Sequence, residues 1–141
     1  MTAILSPHHL MLEGMDLMMI ADSIGVTVRR AHTVTGALGE YDHTERTIRL
    51  HPGLSGVRCT AVLAHEIGHA VYGHTSSTPV SEREADYFAH WLLVCPRRFL
   101  TACRVYRTVQ GVAYDLEVTP SMVASYASRW WPDGGEGVAV G

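Results

Sequence analysis

Apolar positions recur along the chain with two different periods. From Leu10 to Ile24 they fall at helical spacing, through Met11, Met15, Met18 and Ile20, and predict a helix with a broad buried face. The Met11, Met15, Met18, Met19 cluster reads as core filling. Gly25 is a plausible stop. The period then shortens to two. Val26 and Val28 alternate with Thr27 and Arg29, which predicts a short strand over 26–31. A second strand is expected near 37–42, a tight turn at 43–45 and a third strand near 46–51, where Ile48 and Leu50 alternate with Thr47 and Arg49. Pro52 and Gly53 end it. The helical period returns at Ser55 or Gly56 and runs to about Gly73. A second long helix is predicted over 80–94, with Pro96 beyond it. Residues 97–131 read as two or three short helices, and 132–141, with four glycines, as a flexible tail.

A length of 141 residues fits one domain, taken as 1–131 with the tail attached. Hydrophobic residues at 47% against charged residues at 18% supply one core and exclude wholesale disorder. No apolar run approaches the ~18 residues of a membrane span, and the N-terminal stretch lacks the pattern of a signal peptide. The three cysteines, Cys59, Cys95 and Cys103, are odd in number and form no CxxC, which argues against a disulfide framework. A cytoplasmic protein is expected. The net charge of -3 excludes an electrostatic nucleic-acid binder.

Residues 65–69 are His-Glu-Ile-Gly-His. Histidines at i and i+4 share one helix face, so His65 and His69 can both reach one zinc ion. Glu66 is rotated by ~100° from His65 and falls beside the metal. This is the HExxH arrangement of zinc peptidases, with the glutamate as general base. Gly68 in mid-helix costs ~1 kcal/mol against Ala, tolerable where another backbone must come close.

Two histidines need a third protein ligand. Glu82, Glu84, Asp86 and His90 on the second helix are the candidates. Glu82 and Asp86 share a face that His90 continues, whereas Glu84 is ~200° from Glu82. Ser81 and Glu84 also have capping-box spacing, although Thr78-Pro79 can start the helix earlier. Glu82 is therefore taken as the third ligand, with Glu84 as the alternative. Asp86 becomes the acceptor for a ligand imidazole N–H; a solvated surface acid is its other reading. Tyr72, His74, Tyr87 and His90 are candidates for stabilising an oxyanion, and His74 also suits the end of a helix.

The runs AVLAHEIGHAVYGH at 61–74 and SEREADYFAHWLLVCP at 81–96 resemble the ImmA/IrrE family of metallo-endopeptidases. That family pairs HExxH on one helix with Glu-x-x-Ala-Asp/Asn-x-Phe-Ala on the next, here Glu82, Ala85, Asp86, Phe88 and Ala89. Gly25-Val26-Thr27-Val28 and the stretch from Arg46 to Leu54 fit too, so the resemblance covers roughly 10–96. Cys95 departs from the usual Leu-Leu-Met-Pro-like ending. The resemblance implies an α+β fold, with a small three-stranded sheet packed on the HExxH helix and the second ligand helix. It implies one Zn2+ per chain held by His65, His69 and Glu82, with Glu66 catalytic. It further implies cleavage of a helix-turn-helix transcriptional repressor, in phages, mobile elements or stress responses. An extended substrate is expected to pair with an edge strand, near 37–42 or 46–51. A non-catalytic antirepressor that binds through the same fold is the alternative; the intact Glu66 favours the enzyme.

Arg97, Arg98, Arg104, Arg107 and Arg129 make the C-terminal part net basic, and 112–130 has a helix-turn-helix cadence. A helical cap over the core is expected there, with Trp91, Trp130 and Trp131 as core or rim aromatics and without direct nucleic-acid binding.

Overall fold

The strand with the cleanest alternation lies at the centre of the sheet. In the computed structural model, which describes residues 17–130, nine elements follow one another. They are α1 (Leu17–Ser23), β1 (Thr27–Arg30), β2 (Gly39–Asp42), β3 (Thr47–Leu50), α2 (Gly56–Tyr72), α3 (Pro79–Leu93), α4 (Pro96–Val105), α5 (Val109–Leu116) and α6 (Pro120–Trp130). The N-terminal part of the helix predicted from Leu10, with Met11 and Met15, lies outside the described residues, as do Trp131 and the predicted tail.

The sheet order is β1-β3-β2, with β1 parallel and β2 antiparallel to β3. The 46–51 strand is therefore interior, hydrogen-bonded on both sides, and is not an edge open to substrate. Of the two segments considered for docking, only β2 is an edge. The turn between β2 and β3 is closed by Asp42, whose Oδ1 accepts the Glu45 N–H at 3.1 Å. Arg46, at φ 49°, then donates to the Ile24 carbonyl at 2.6 Å and ties the hairpin to the end of α1.

Burial follows the periods. Ile48 and Leu50 are buried on β3. Leu63, Ile67 and Ala70 recur at i, i+4 and i+7 on α2, and Ala85, Ala89 and Leu92 do so on α3. Helices α4–α6 add Phe99, Val112, Val123 and Tyr126 to the same continuous cluster. The architecture is α+β: a three-stranded sheet packed on α2, with α3 packed against α2 and a helical C-terminal cap. Met18 and Met19 are about half exposed, so these two do not fill the core. Only Leu17 and Ala21 of α1 are buried, a narrower face than predicted.

Candidate active site

Helix α2 presents His65 and His69 one turn apart, and α3 brings Glu82 against them. His65 Nε2 and His69 Nε2 face each other at 3.1 Å. Glu82 Oε1 lies 3.2 Å from the first and Oε2 3.0 Å from the second. A tetrahedral ion with ~2.05 Å bonds holds its donors about 3.3 Å apart. Two imidazole nitrogens and a carboxylate at nearly that spacing form a donor set that suits zinc, and the three residues can hold a metal ion.

The approach of α3 depends on Gly68. A Cβ there would meet the Ala85 carbonyl oxygen at 2.9 Å and its Cα at 3.0 Å. The missing side chain lets the two helices touch backbone to backbone. The start of α3 is fixed by a capping box between Thr78 and Ser81: Ser81 N–H donates to Thr78 Oγ1 at 3.0 Å and Thr78 N–H to Ser81 Oγ at 2.8 Å. The predicted Ser81–Glu84 box does not form. The helix starts at Pro79, one residue after its cap.

Glu84 is engaged elsewhere. His65 Nδ1 pairs with Asp86 Oδ1 at 2.8 Å. His69 Nδ1 pairs with His74 Nδ1 at 2.9 Å, and His74 Nε2 with Glu84 Oε1 at 2.8 Å. One set of tautomers satisfies these three pairs. His65 Nδ1–H donates to Asp86, His69 Nδ1–H donates to His74, and His74 Nε2–H donates to Glu84. Both Nε2 lone pairs are then left facing Glu82. Burial lowers the His65 pKa, but the Asp86 hydrogen bond and the Glu66, Asp86 and Glu82 charges outweigh it, so the net shift is upward. Burial and the neighbouring imidazoles hold His69 below its ordinary value. The hydrogen bond from His65 lowers Asp86.

Glu66 is 7% exposed and lies under β2. Gly39 makes this possible: a Cβ there would collide with Val62 and come within 3.2 Å of Glu66 Cγ. Burial pushes the Glu66 carboxyl up to about 7, aided by the Glu82 and Glu40 charges and opposed by His65 and the Tyr41 backbone N–H. Cavities open on both sides of it. One, of about 370 Å³, has Thr35, His69, His74 and Ser76 in its walls. The other, of about 530 Å³, reaches Asp86, His90, Met122 and Ser125. Ala37, Gly39, Glu66 and Glu82 line both, so the two form one groove.

A family model described as Peptidase M78, the IrrE N-terminal-like domain, matches residues 21–128. The chain belongs to this family. No curated protein matches it. The Peptidase M78 match extends past the roughly 10–96 of the sequence resemblance and takes in most of α6, so the C-terminal helices belong to the family domain.

Within this Peptidase M78 domain the predicted His65, Glu66, His69, Glu82 and Asp86 all come together. Of the oxyanion candidates, Tyr72 stacks on the His74 ring at 5.4 Å and Tyr87 packs near Trp130 at 5.9 Å, and neither lines the groove. His74 spends both nitrogens on His69 and Glu84. His90 is in the groove wall. Sequence reasoning missed the Glu84–His74 pair and Gly39. The first carries no local signal, because the loop after α2 must fold back to make it. The second carries none either, because the packing of β2 on α2 decides what faces Gly39.

Proposed function

We propose that the chain is a zinc-dependent endopeptidase that cleaves a protein partner, a helix-turn-helix transcriptional repressor. The observation that carries this is the convergence of His65 Nε2, His69 Nε2 and the Glu82 carboxylate beside a buried Glu66, in the middle of a groove. Zinc at the cluster would supply a Lewis acid for the peptide carbonyl and acidify a water. His65, His69 and Glu82 would hold it. Asp86 and the His74–Glu84 pair keep the two imidazoles turned with Nε2 inward. Glu66, with a carboxyl near 7, is suited to hold a proton on its carboxylate and return it to the leaving amine. The β2 edge against Glu66 would take an extended chain as an added strand. The repressor as partner follows from the resemblance to the ImmA/IrrE family. A cytoplasmic setting fits the three free thiols. Among the described residues no helix is long and apolar enough to cross a membrane.

The test is incubation of the zinc-loaded chain with a helix-turn-helix repressor, chosen from any repressor-like reading frame found beside its gene. The wild type should cut it, and Glu66→Gln should be slower by at least ~10²-fold with zinc retained. An undiminished biological effect in Glu66→Gln would make the chain a binding regulator.

A further inference from the structure

The larger half of the groove has features that catalysis does not use. Its walls come from α2, α3, the approach to β2 and the N-terminal half of α6. Leu38, Val62, Ala89 and Met122 make it apolar along its length. Among the described residues no arginine lines either half of the groove, and the chain has no lysine. The charged side chains there are carboxylates, Glu40, Glu66, Glu82 and Asp86. Most of that charge has a counter-charge. Glu40 pairs with Arg49 at 3.2 Å. A zinc ion at the cluster would balance Glu82 and Glu66. Asp86 is what remains. Its side chain is half exposed, it lines the cavity, and among the described residues its ion-pair partner is His65. A zinc-bound imidazole is neutral, so this hydrogen bond leaves the Asp86 charge in place. The bond takes one oxygen, Oδ1, at 2.8 Å, and a carboxylate accepts more than one donor.

We propose that the cleft between α3 and α6 is a side-chain pocket that selects a long cationic residue of the bound chain, arginine or lysine, with its charged head at Asp86. This rests on the peptidase reading for its biological meaning. Both residues carry an apolar stem under a charged head, which matches a cavity with apolar walls and one carboxylate left without a counter-charge. Val62, Ala89 and Met122 take the stem, and the hydroxyls of Thr119 and Ser125 are further acceptors for N–H groups. The volume of about 530 Å³ admits such a side chain together with part of its backbone. The same carboxylate rejects aspartate and glutamate. An aliphatic side chain fills the walls but binds without the ion pair. Arg129 is the opposing charge, and it acts on Asp86. It sits over the Tyr87 ring at 5.1 Å and does not line the cavity, so it weakens the preference without filling the site. The C-terminal cap thereby becomes a wall of the specificity site, through Met122 and Ser125.

The test uses the zinc-loaded full chain with methyl-labelled methionine, followed by NMR. The probes are N-acetyl-argininamide and N-acetyl-citrullinamide, which share a shape and differ in charge. The arginine probe should shift the Met122 methyl signal and bind about 5-fold tighter than the citrulline probe, the upper end for a partly exposed ion pair. Salt at about 0.5 M should narrow that gap. Asp86→Asn, which keeps an acceptor for His65 but loses the charge, should close it. Ser125→Arg, which brings a cation of the chain's own into the pocket, should abolish the shifts while zinc content stays unchanged. Equal binding of the two probes, no binding up to their solubility, a gap that survives Asp86→Asn, or shifts that survive Ser125→Arg would each overturn the pocket. If Asp86→Asn loses its zinc, Ser125→Arg and the salt dependence decide. No cleavage is read, so the two ideas fail separately. Arginine-selective binding without any peptidase activity would sink the peptidase reading alone. Cleavage of a peptide library with no preference for a basic residue near the cut would sink the pocket alone.

Discussion

Each imidazole of the HExxH pair has its own outer acceptor, Asp86 for His65 and the His74–Glu84 pair for His69. Losing an orienting group differs from losing a donor. Glu84→Ala or Asp86→Ala should lower zinc affinity by about 10–100-fold, and Glu82→Ala by more, as measured by chelator competition. A larger loss in Glu84→Ala would make Glu84 the third ligand. His90 makes a separate prediction. Burial, then the Arg129 charge, hold its pKa below the ordinary 6.5, opposed by Asp86, while the Tyr126 ring packs near it. As pH falls, the unfolded chain takes up a proton on His90 before the folded one does. The stability from a neutral His90 is therefore present above about pH 6.5 and lost as pH drops through the depressed folded value. Urea unfolding at pH 7.5 and 5.5 should show wild type losing ground to His90→Leu at the lower pH. A constant gap would contradict this.

At the scale of elements, the site depends on how closely α3 and β2 approach α2. Gly→Ala in a helix ordinarily gains ~1 kcal/mol. At Gly68 the new Cβ would meet Ala85 backbone, and overpacking of this kind costs about 1–3 kcal/mol. Gly68→Ala should therefore lower the melting temperature and, by moving Glu82, weaken zinc binding. Lower stability with unchanged zinc affinity would show that Gly68 does not set the ligand spacing. The same contrast explains what the sequence made legible. His65 and His69 share a face through local geometry alone, and Glu82 with Asp86 through the same spacing, so four site positions were readable without a fold. The alternation around Ile48 and Leu50 announced a strand. It did not say that this strand would be interior, because order depends on which edges meet after collapse. Likewise, Thr78 outcompeted Ser81 as cap once Pro79 fixed the first turn, and that freed Glu84 to reach His74.

Over the whole molecule, the C-terminal helices share the core cluster with the half that carries the HExxH helix and wall its groove. Their arginines are partly committed: Arg98 donates to the Asp115 carbonyl at 3.0 Å and Arg129 lies over the Tyr87 ring at 5.1 Å. With a net charge of -3, the full chain should give no sequence-selective mobility shift with DNA at about 150 mM salt. A selective shift would make the cap a DNA reader. Removing the cap from Arg97 onward should expose the apolar faces of Leu92 and Val94 and lower solubility; a soluble, stable truncation would contradict a shared core. The peptidase reading turns on the metal. The decisive measurement is the zinc content of the purified chain after reconstitution and removal of loosely bound metal. About one zinc per chain, lost in His65→Ala and in His69→Ala, is the expected result. No bound zinc in the wild type would contradict the metallopeptidase assignment outright.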